Sequence, residues 1–197
     1  MIIPGAAPNF LDMWFRLKFP IISGKYRTSP FVTGNYPGSH AIAANYHYFL
    51  PYIGMGESVD RMAFAAQATD AGYYVRLHLY DDNGLIYPGD LLWESAAIEV
   101  ASTGLIYAAI SPAVALPPGL YWMALISDHT PTLFDVWWGG GCQGFVWAAD
   151  ISGNYHYGGF IKSGTYGAAP DPFTSGVTGD LLTQGISGTP LMGLRVA

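Results

Sequence analysis

Charge is what this chain has least of. Only 11% of its 197 residues are Asp, Glu, Lys or Arg, against about 25% in an ordinary soluble domain. Its eight Lys and Arg are scattered and the formal charge is −6. That leaves no basic stripe to neutralise phosphates, which excludes a nucleic-acid groove. The single cysteine, Cys142, excludes an internal disulfide and a cysteine-ligated zinc. It reads as a small apolar side chain. A long uncharged run, Val100 to Ser127, is cut by Gly104, Pro112, Pro117, Pro118 and Gly119. It therefore divides into strand-length pieces and is not a membrane-spanning helix. The opening residues have no basic stretch and are broken at Pro4 and Pro8, so no signal peptide is legible.

What is abundant is apolar and aromatic surface, with 51% hydrophobic and 15% aromatic residues. Covering that much apolar area with so few charges points to contacts with other subunits. Residues 1 to 40 read as an irregular N-terminal arm. An apolar patch holding Phe10, Trp14, Phe15 and Phe19 is followed by a stretch punctuated by Pro30, Gly34, Pro37 and Gly38. Such a segment orders itself by docking on something, and these aromatics are the expected anchor.

From Ala41 to Ala197 short strands alternate with turns. The expected strands are Tyr46 to Ile53, Val59 to Ala68, Tyr73 to Tyr80, Leu91 to Val100, Leu105 to Ile110, Leu120 to Ser127, Phe134 to Trp138, Phe145 to Ala149 and Pro190 to Val196. In the third, Tyr73, Val75, Leu77 and Leu79 share one face, and Tyr74, Arg76, His78 and Tyr80 share a face expected to point to solvent. Leu120 to Ser127 is apolar on both faces and should be central. Gly119 ahead of it is expected to need a positive φ. Turn signals about every ten residues, with almost no helical period, predict an all-β, antiparallel, jelly-roll-like β-sandwich. The Gly/Pro/Ser/Thr-rich segment from Gly158 to Gly188 is long for a connection and suits a functional loop or a wrap around a neighbour.

Little in the residues reads as chemistry. Asp81-Asp82-Asn83-Gly84 lacks the alternating acids and distant glutamate of a calcium loop and reads as a turn. Ser127, Asp128 and His129 are the residue types of a hydrolase triad, but as neighbours in an extended chain they cannot form the relay. His40, His47, His78, His129 and His156 are dispersed and show no zinc spacing. The three glutamates, Glu57, Glu94 and Glu99, form no evident pair for glycoside cleavage. No cofactor or metal is expected. Trp137, Trp138, Trp147, Tyr155 and Tyr157 surround a glycine-rich corner. They suit sugar stacking or partner contact, although such rings more often fill a core or an interface.

The words from Arg76 to Asp128 carry a resemblance. Arg-Leu-His-Leu-Tyr-Asp-Asp-Asn-Gly, Pro88-Gly89-Asp90-Leu91-Leu92, Thr103-Gly104-Leu105 and Leu116-Pro117-Pro118-Gly119-Leu120-Tyr121-Trp122-Met123-Ala124-Leu125-Ile126-Ser127-Asp128 are similar to strand and turn words of bacteriophage tail-fibre and minor-tail proteins. The likeness spans residues 41 to 197 and is densest from Asp60 to His129. It implies a non-enzymatic sandwich displayed on the virion as a homotrimer, made in the host cytoplasm. The arm would join it to other virion proteins, and the sandwich would meet a host surface glycan. The arm is short and no shaft is legible, which favours a compact appendage. Two alternatives stand beside this: a capsid decoration protein, and a carbohydrate-binding module or glycan-cleaving enzyme.

Overall fold

The computed structural model of the chain describes residues 21–29, 37–85, 87–136, 146–149, 155–157, 160–173 and 189–197. Its strands, in chain order, are β1 (Tyr26–Arg27), β2 (Pro37–Ala41), β3 (Tyr46–Gly54), β4 (Glu57–Ala66), β5 (Asp70–Asp82), β6 (Pro88–Glu94), β7 (Ile98–Val100), β8 (Gly104–Leu116), β9 (Gly119–Ser127), β10 (Thr132–Val136), β11 (Val146–Ala149), β12 (Tyr155–Tyr157), β13 (Phe160–Ser163), β14 (Thr189–Pro190) and β15 (Met192–Val196). All pairings are antiparallel. The fold is an all-β sandwich. No helix among the described residues is long and apolar enough to cross a membrane.

Sheet A holds β1, β15, β4, β10 and β14 in that order, with β8 on β4 and β2 on β10. Sheet B runs β13-β3-β9-β5-β6, with β7 also on β5. A separate hairpin pairs β11 with β12. Sheet A thus already includes strands from the segment read as an arm. The aromatic patch with Phe10, Trp14, Phe15 and Phe19 lies outside the described residues.

The two sheets close on one another over period-2 faces. Tyr48, Leu50 and Tyr52 of β3, Val75, Leu77 and Leu79 of β5, and Tyr121, Met123 and Leu125 of β9 meet Val59, Met62 and Phe64 of β4, Leu116 of β8 and Met192 and Leu194 of β15. Each fully buried aliphatic or aromatic side chain contributes roughly 1.5–3 kcal/mol by leaving water. β9 is central as its sequence predicts: it pairs with β3 on one edge and β5 on the other, and every residue from Tyr121 to Ser127 is buried.

Three expectations need correction. Gly119 does not adopt a positive φ; the close approach is across the strand pair at Gly54, where a Cβ would lie 2.6 Å from the Tyr121 ring and 2.8 Å from the Pro117 carbonyl. Leu91 to Val100 is two strands, because Ser95 turns inward: its N–H donates to Leu77 O (2.9 Å) and its Oγ accepts the Leu77 N–H (2.9 Å). Finally, the second face of β5 is solvated only at its start: Tyr74 is exposed and Arg76 half-buried, but the face closes beyond them. His78 and Tyr80 are both 0% exposed, and the reason is the segment after β13.

Candidate functional site

The outer face of sheet B is a second buried layer. Strand alternation places His47 and Phe49 of β3, Trp122 and Ala124 of β9, and Arg76, His78 and Tyr80 of β5 on the side turned away from sheet A. Register sets the neighbours. Phe49, Ala124, His78 and Glu94 form one row across four strands; Pro51, Trp122, Tyr80 and Leu91 form the next. Ala124 is the small residue between two large ones, and over it the His47 and His78 rings approach to 5.5 Å between centroids.

Residues 164–173 cover this layer as a strap. Its start is fixed by Asn45, which sits at φ 61, a left-handed conformation that asparagine tolerates. The Gly164 N–H donates to Asn45 O (2.8 Å), and the Tyr166 N–H donates to Asn45 Oδ1 (3.0 Å). Further along, the Ala169 N–H donates to Glu94 Oε2 (2.9 Å), Asp171 Oδ1 accepts the Leu91 N–H (3.1 Å), and the Phe173 N–H donates to Gly89 O (2.9 Å). Gly164 lies so close to the His47 ring that a Cβ there would sit 2.6 Å from it. Phe173 ends the strap edge-on to His47 (5.4 Å), Phe49 (4.8 Å) and Tyr80 (5.6 Å). The segment suited to a functional loop or a wrap around a neighbour therefore wraps, over its described part, the protein's own sheet.

Beneath the strap, Nδ1 of His47, both ring nitrogens of His78 and the Tyr80 hydroxyl are buried without a hydrogen-bond partner among the described residues. Buried polar atoms are almost always paired, so four in one cluster are unusual. Burial pushes the His47 imidazole down to about 4. It pushes His78 down to about 3, helped by repulsion from His47 when that ring is protonated and from the Arg76 charge. Both rings are held neutral. Burial raises the Tyr80 phenol, as do the nearby carboxylates of Glu94 and Asp171.

A contrasting cluster ties the two sheets together at the other end of β3. The Glu57 carboxylate, on β4, accepts the Tyr52 hydroxyl (2.6 Å) and the Met55 N–H (2.6 Å) and pairs with the Arg27 guanidinium. That guanidinium also donates to Ile53 O (3.4 Å) and lies 5.2 Å from the Tyr52 ring centroid. Burial and the bond to Glu57 raise the Tyr52 phenol far above its ordinary range.

The other sequence candidates are accounted for by local contacts. In the turn after β5, Asp81 Oδ1 accepts the Asp90 N–H (2.6 Å), Asp82 accepts both the Gly84 N–H (2.9 Å) and the Trp122 indole N–H (3.0 Å), and Gly84 takes φ 82. Ser127 spends its hydroxyl proton on Tyr74 O (3.0 Å), and its Oγ accepts the His129 N–H (3.3 Å). Asp128 and His129 do touch, Oδ1 to Nδ1 at 3.0 Å, because the chain bends there rather than running extended. His129 then stacks on Tyr73 at 4.6 Å, so the three residues form no relay. Glu57, Glu94 and Glu99 are engaged separately, Glu99 by the Gly72 N–H (2.9 Å).

Of the glycine-corner aromatics, Trp137 and Trp138 lie outside the described residues. The backbones of Trp147, Tyr155 and Tyr157 fall on the β11–β12 hairpin, with a register shift at Trp147; their side chains lie outside the described residues. No group of three or more His, Cys, Asp or Glu among the described residues could hold a metal ion. Sequence reading missed the His47–His78 pair. Its only signal is that both precede an aromatic by two residues, in Tyr-His-Tyr-Phe and Leu-His-Leu-Tyr, which puts each histidine on an aromatic strand face. The chain matches no protein-family model and none of the curated proteins searched.

Proposed function

We propose that this chain is a non-enzymatic structural subunit of a bacteriophage particle, a compact tail appendage whose sandwich assembles with copies of itself and is displayed toward the host surface. The observation that carries the assembly part is β8. This strand is 13 residues long, holds no charged residue and pairs only with β4 among the described residues. Its outward face presents Leu105 and Tyr107, 56% and 48% exposed. A long, uncharged edge is what a monomeric protein normally blunts with charge, because unpaired backbone groups and apolar side chains invite another surface. Pro112 and the register shift opposite Asp60 blunt only its second half. The virion part draws on the resemblance of residues 41 to 197 to tail-fibre and minor-tail modules, and the part of the arm ahead of β1, with Phe10, Trp14, Phe15 and Phe19, is its anchor to other virion proteins.

The test is the mass of the purified protein by light scattering, followed by labelling it on particles. A trimer found on tails supports the reading. A trimer on the capsid shell makes the protein a decoration protein. A monomer that binds glycans and joins no particle overturns the reading in favour of a carbohydrate-binding module.

A further inference from the structure

We propose that residues 164–173 are an acid-released strap: protonation of the His47–His78 pair beneath it lifts it from sheet B and bares the aromatic face of Phe49, Tyr80 and Trp122. This stands on the geometry of the strap alone and is independent of the particle reading.

The strap is the lid of a cluster that tolerates only neutral imidazole. His78 is 0% and His47 3% exposed, and their rings stand 5.5 Å apart. A proton on one therefore disfavours a proton on the other. The charged and titratable groups around them come from every neighbouring element. β5 brings Arg76 and Tyr80, β13 brings Lys162 directly opposite His47, β6 brings Glu94, and the strap brings Tyr166 and Asp171. The β5–β6 turn adds Tyr87, which packs on Phe173. β9 contributes Trp122, Ala124 and Ile126, without charge.

Two of these groups are cations, and a histidine proton would join them. Among the described residues, Glu94 and Asp171 are the counter-charges within reach, but both are in use. Glu94 lies 4.0 Å from Arg76 and holds the Ala169 N–H, while Asp171 holds the Leu91 N–H. Among the described residues neither imidazole has an acidic partner. A charged His47 or His78 is therefore stable only when the strap leaves and water replaces it.

Opening costs the five backbone-anchored hydrogen bonds of the strap and its Phe173 contacts, but leaves both inner faces of the sandwich closed. Each imidazole that charges only in the open form shifts the equilibrium toward opening by up to about tenfold per pH unit below about 6.5. From pH 7 to pH 5 that is about twenty-fivefold for one imidazole and about six-hundredfold for both.

The experiment is amide hydrogen exchange on the full chain from pH 7 to pH 5, corrected for intrinsic exchange rates. It reads Gly164, Tyr166, Ala169 and Phe173 of the strap against the β4–β8 ladder of sheet A. The expected result is at least about twentyfold loss of protection in the strap while the β4–β8 amides keep theirs, and loss of that pH dependence in the His47→Gln/His78→Gln double variant. A strap whose protection changes less than threefold overturns the proposal. So does strap opening only in step with β4–β8, which is global unfolding, or a double variant that keeps the wild-type slope. If the double variant does not fold, imidazole titration by NMR on the wild type decides. Titration of His47 and His78 coupled to the strap amides supports the strap, and titration near 6.5 with those amides still protected sinks it.

Discussion

Glu57 and His78 are both polar side chains buried on strands of one sandwich, yet their surroundings differ in kind. Each oxygen of Glu57 has a donor: Tyr52 and Arg27 on one, the Met55 N–H on the other. Neither nitrogen of His78 has an acceptor or donor among the described residues, and the same holds for the Tyr80 hydroxyl beside it. The first cluster joins β1 and β4 of sheet A to β3 of sheet B, so its bonds cross the core. The second lies under a strap on the outside of sheet B. A saturated polar cluster fixes an arrangement, because removing any member strands another buried charge or donor. An unsaturated one resists ionisation, so its stability depends on the proton concentration.

The largest expected difference between the two is therefore acid sensitivity. The folded-state values of His47 and His78 are lowered to about 4 and about 3, so below about pH 6.5 the unfolded chain binds protons that the folded chain refuses. The contribution of the pair is whole above that value and is lost as pH falls toward 4 for His47 and toward 3 for His78. At roughly 1.4 kcal/mol per pH unit for each group, unfolding free energy should drop by up to about 5 kcal/mol between pH 6.5 and pH 4.5, and the fall should stop at the pH where the strap opens and the folded chain takes up the same protons. Denaturant unfolding at a series of pH values measures the slope. A flat profile would mean that the histidines reach water, and the contrast with Glu57 would disappear.

Next in size is Glu57→Ala. It leaves the Arg27 guanidinium and the Tyr52 hydroxyl without their shared acceptor, a loss of about 3–5 kcal/mol for a broken buried pair. Unfolding by urea reads it directly. A cost below about 1 kcal/mol would show that Arg27 simply turns to solvent, and that saturation there adds little.

How far the sequence foretold these clusters depended on how local the signal was. β3, β4, β5 and β9 were legible, because alternation or an all-apolar run between turn residues is a local property. β8 was expected to stop at Ile110, since Pro112 lacks an N–H for a ladder. It runs on to Leu116 because Pro112 falls in the register shift between the Arg61–Ala109 and Val59–Val114 pairs, where no ladder pairing is required of it. The break between β6 and β7 has no Gly or Pro to announce it, only Ser95, whose pairing with Leu77 marks it. The His47–His78 contact was the least legible. It requires β9 to insert between β3 and β5, and it requires the strap to close a face whose Arg76 and Tyr74 looked solvated. Composition could say that residues 158–188 were a loop, but it could not say which surface they would cover.

The smallest effects make the sharpest test, because one chemical change can be made in each cluster. Tyr52→Phe and Tyr80→Phe both delete a phenolic oxygen from a fully buried ring. At Tyr52 the hydroxyl donates to a carboxylate at 2.6 Å, so its loss should cost about 1.5–3 kcal/mol, the range for a hydrogen bond to a charged group. At Tyr80 the hydroxyl bonds to no described residue, so its removal should be neutral, or stabilising by up to about 1 kcal/mol as a desolvated polar atom disappears. The ring contacts with Phe173 and Phe49 stay in either case. Equal costs for the two variants, measured by the same denaturant titration, would show that Tyr80 is satisfied in solution and would remove the distinction between the clusters. A Tyr80→Phe variant that is more stable at pH 7, with its acid slope unchanged, would locate the pH response in the two imidazoles and not in the phenol.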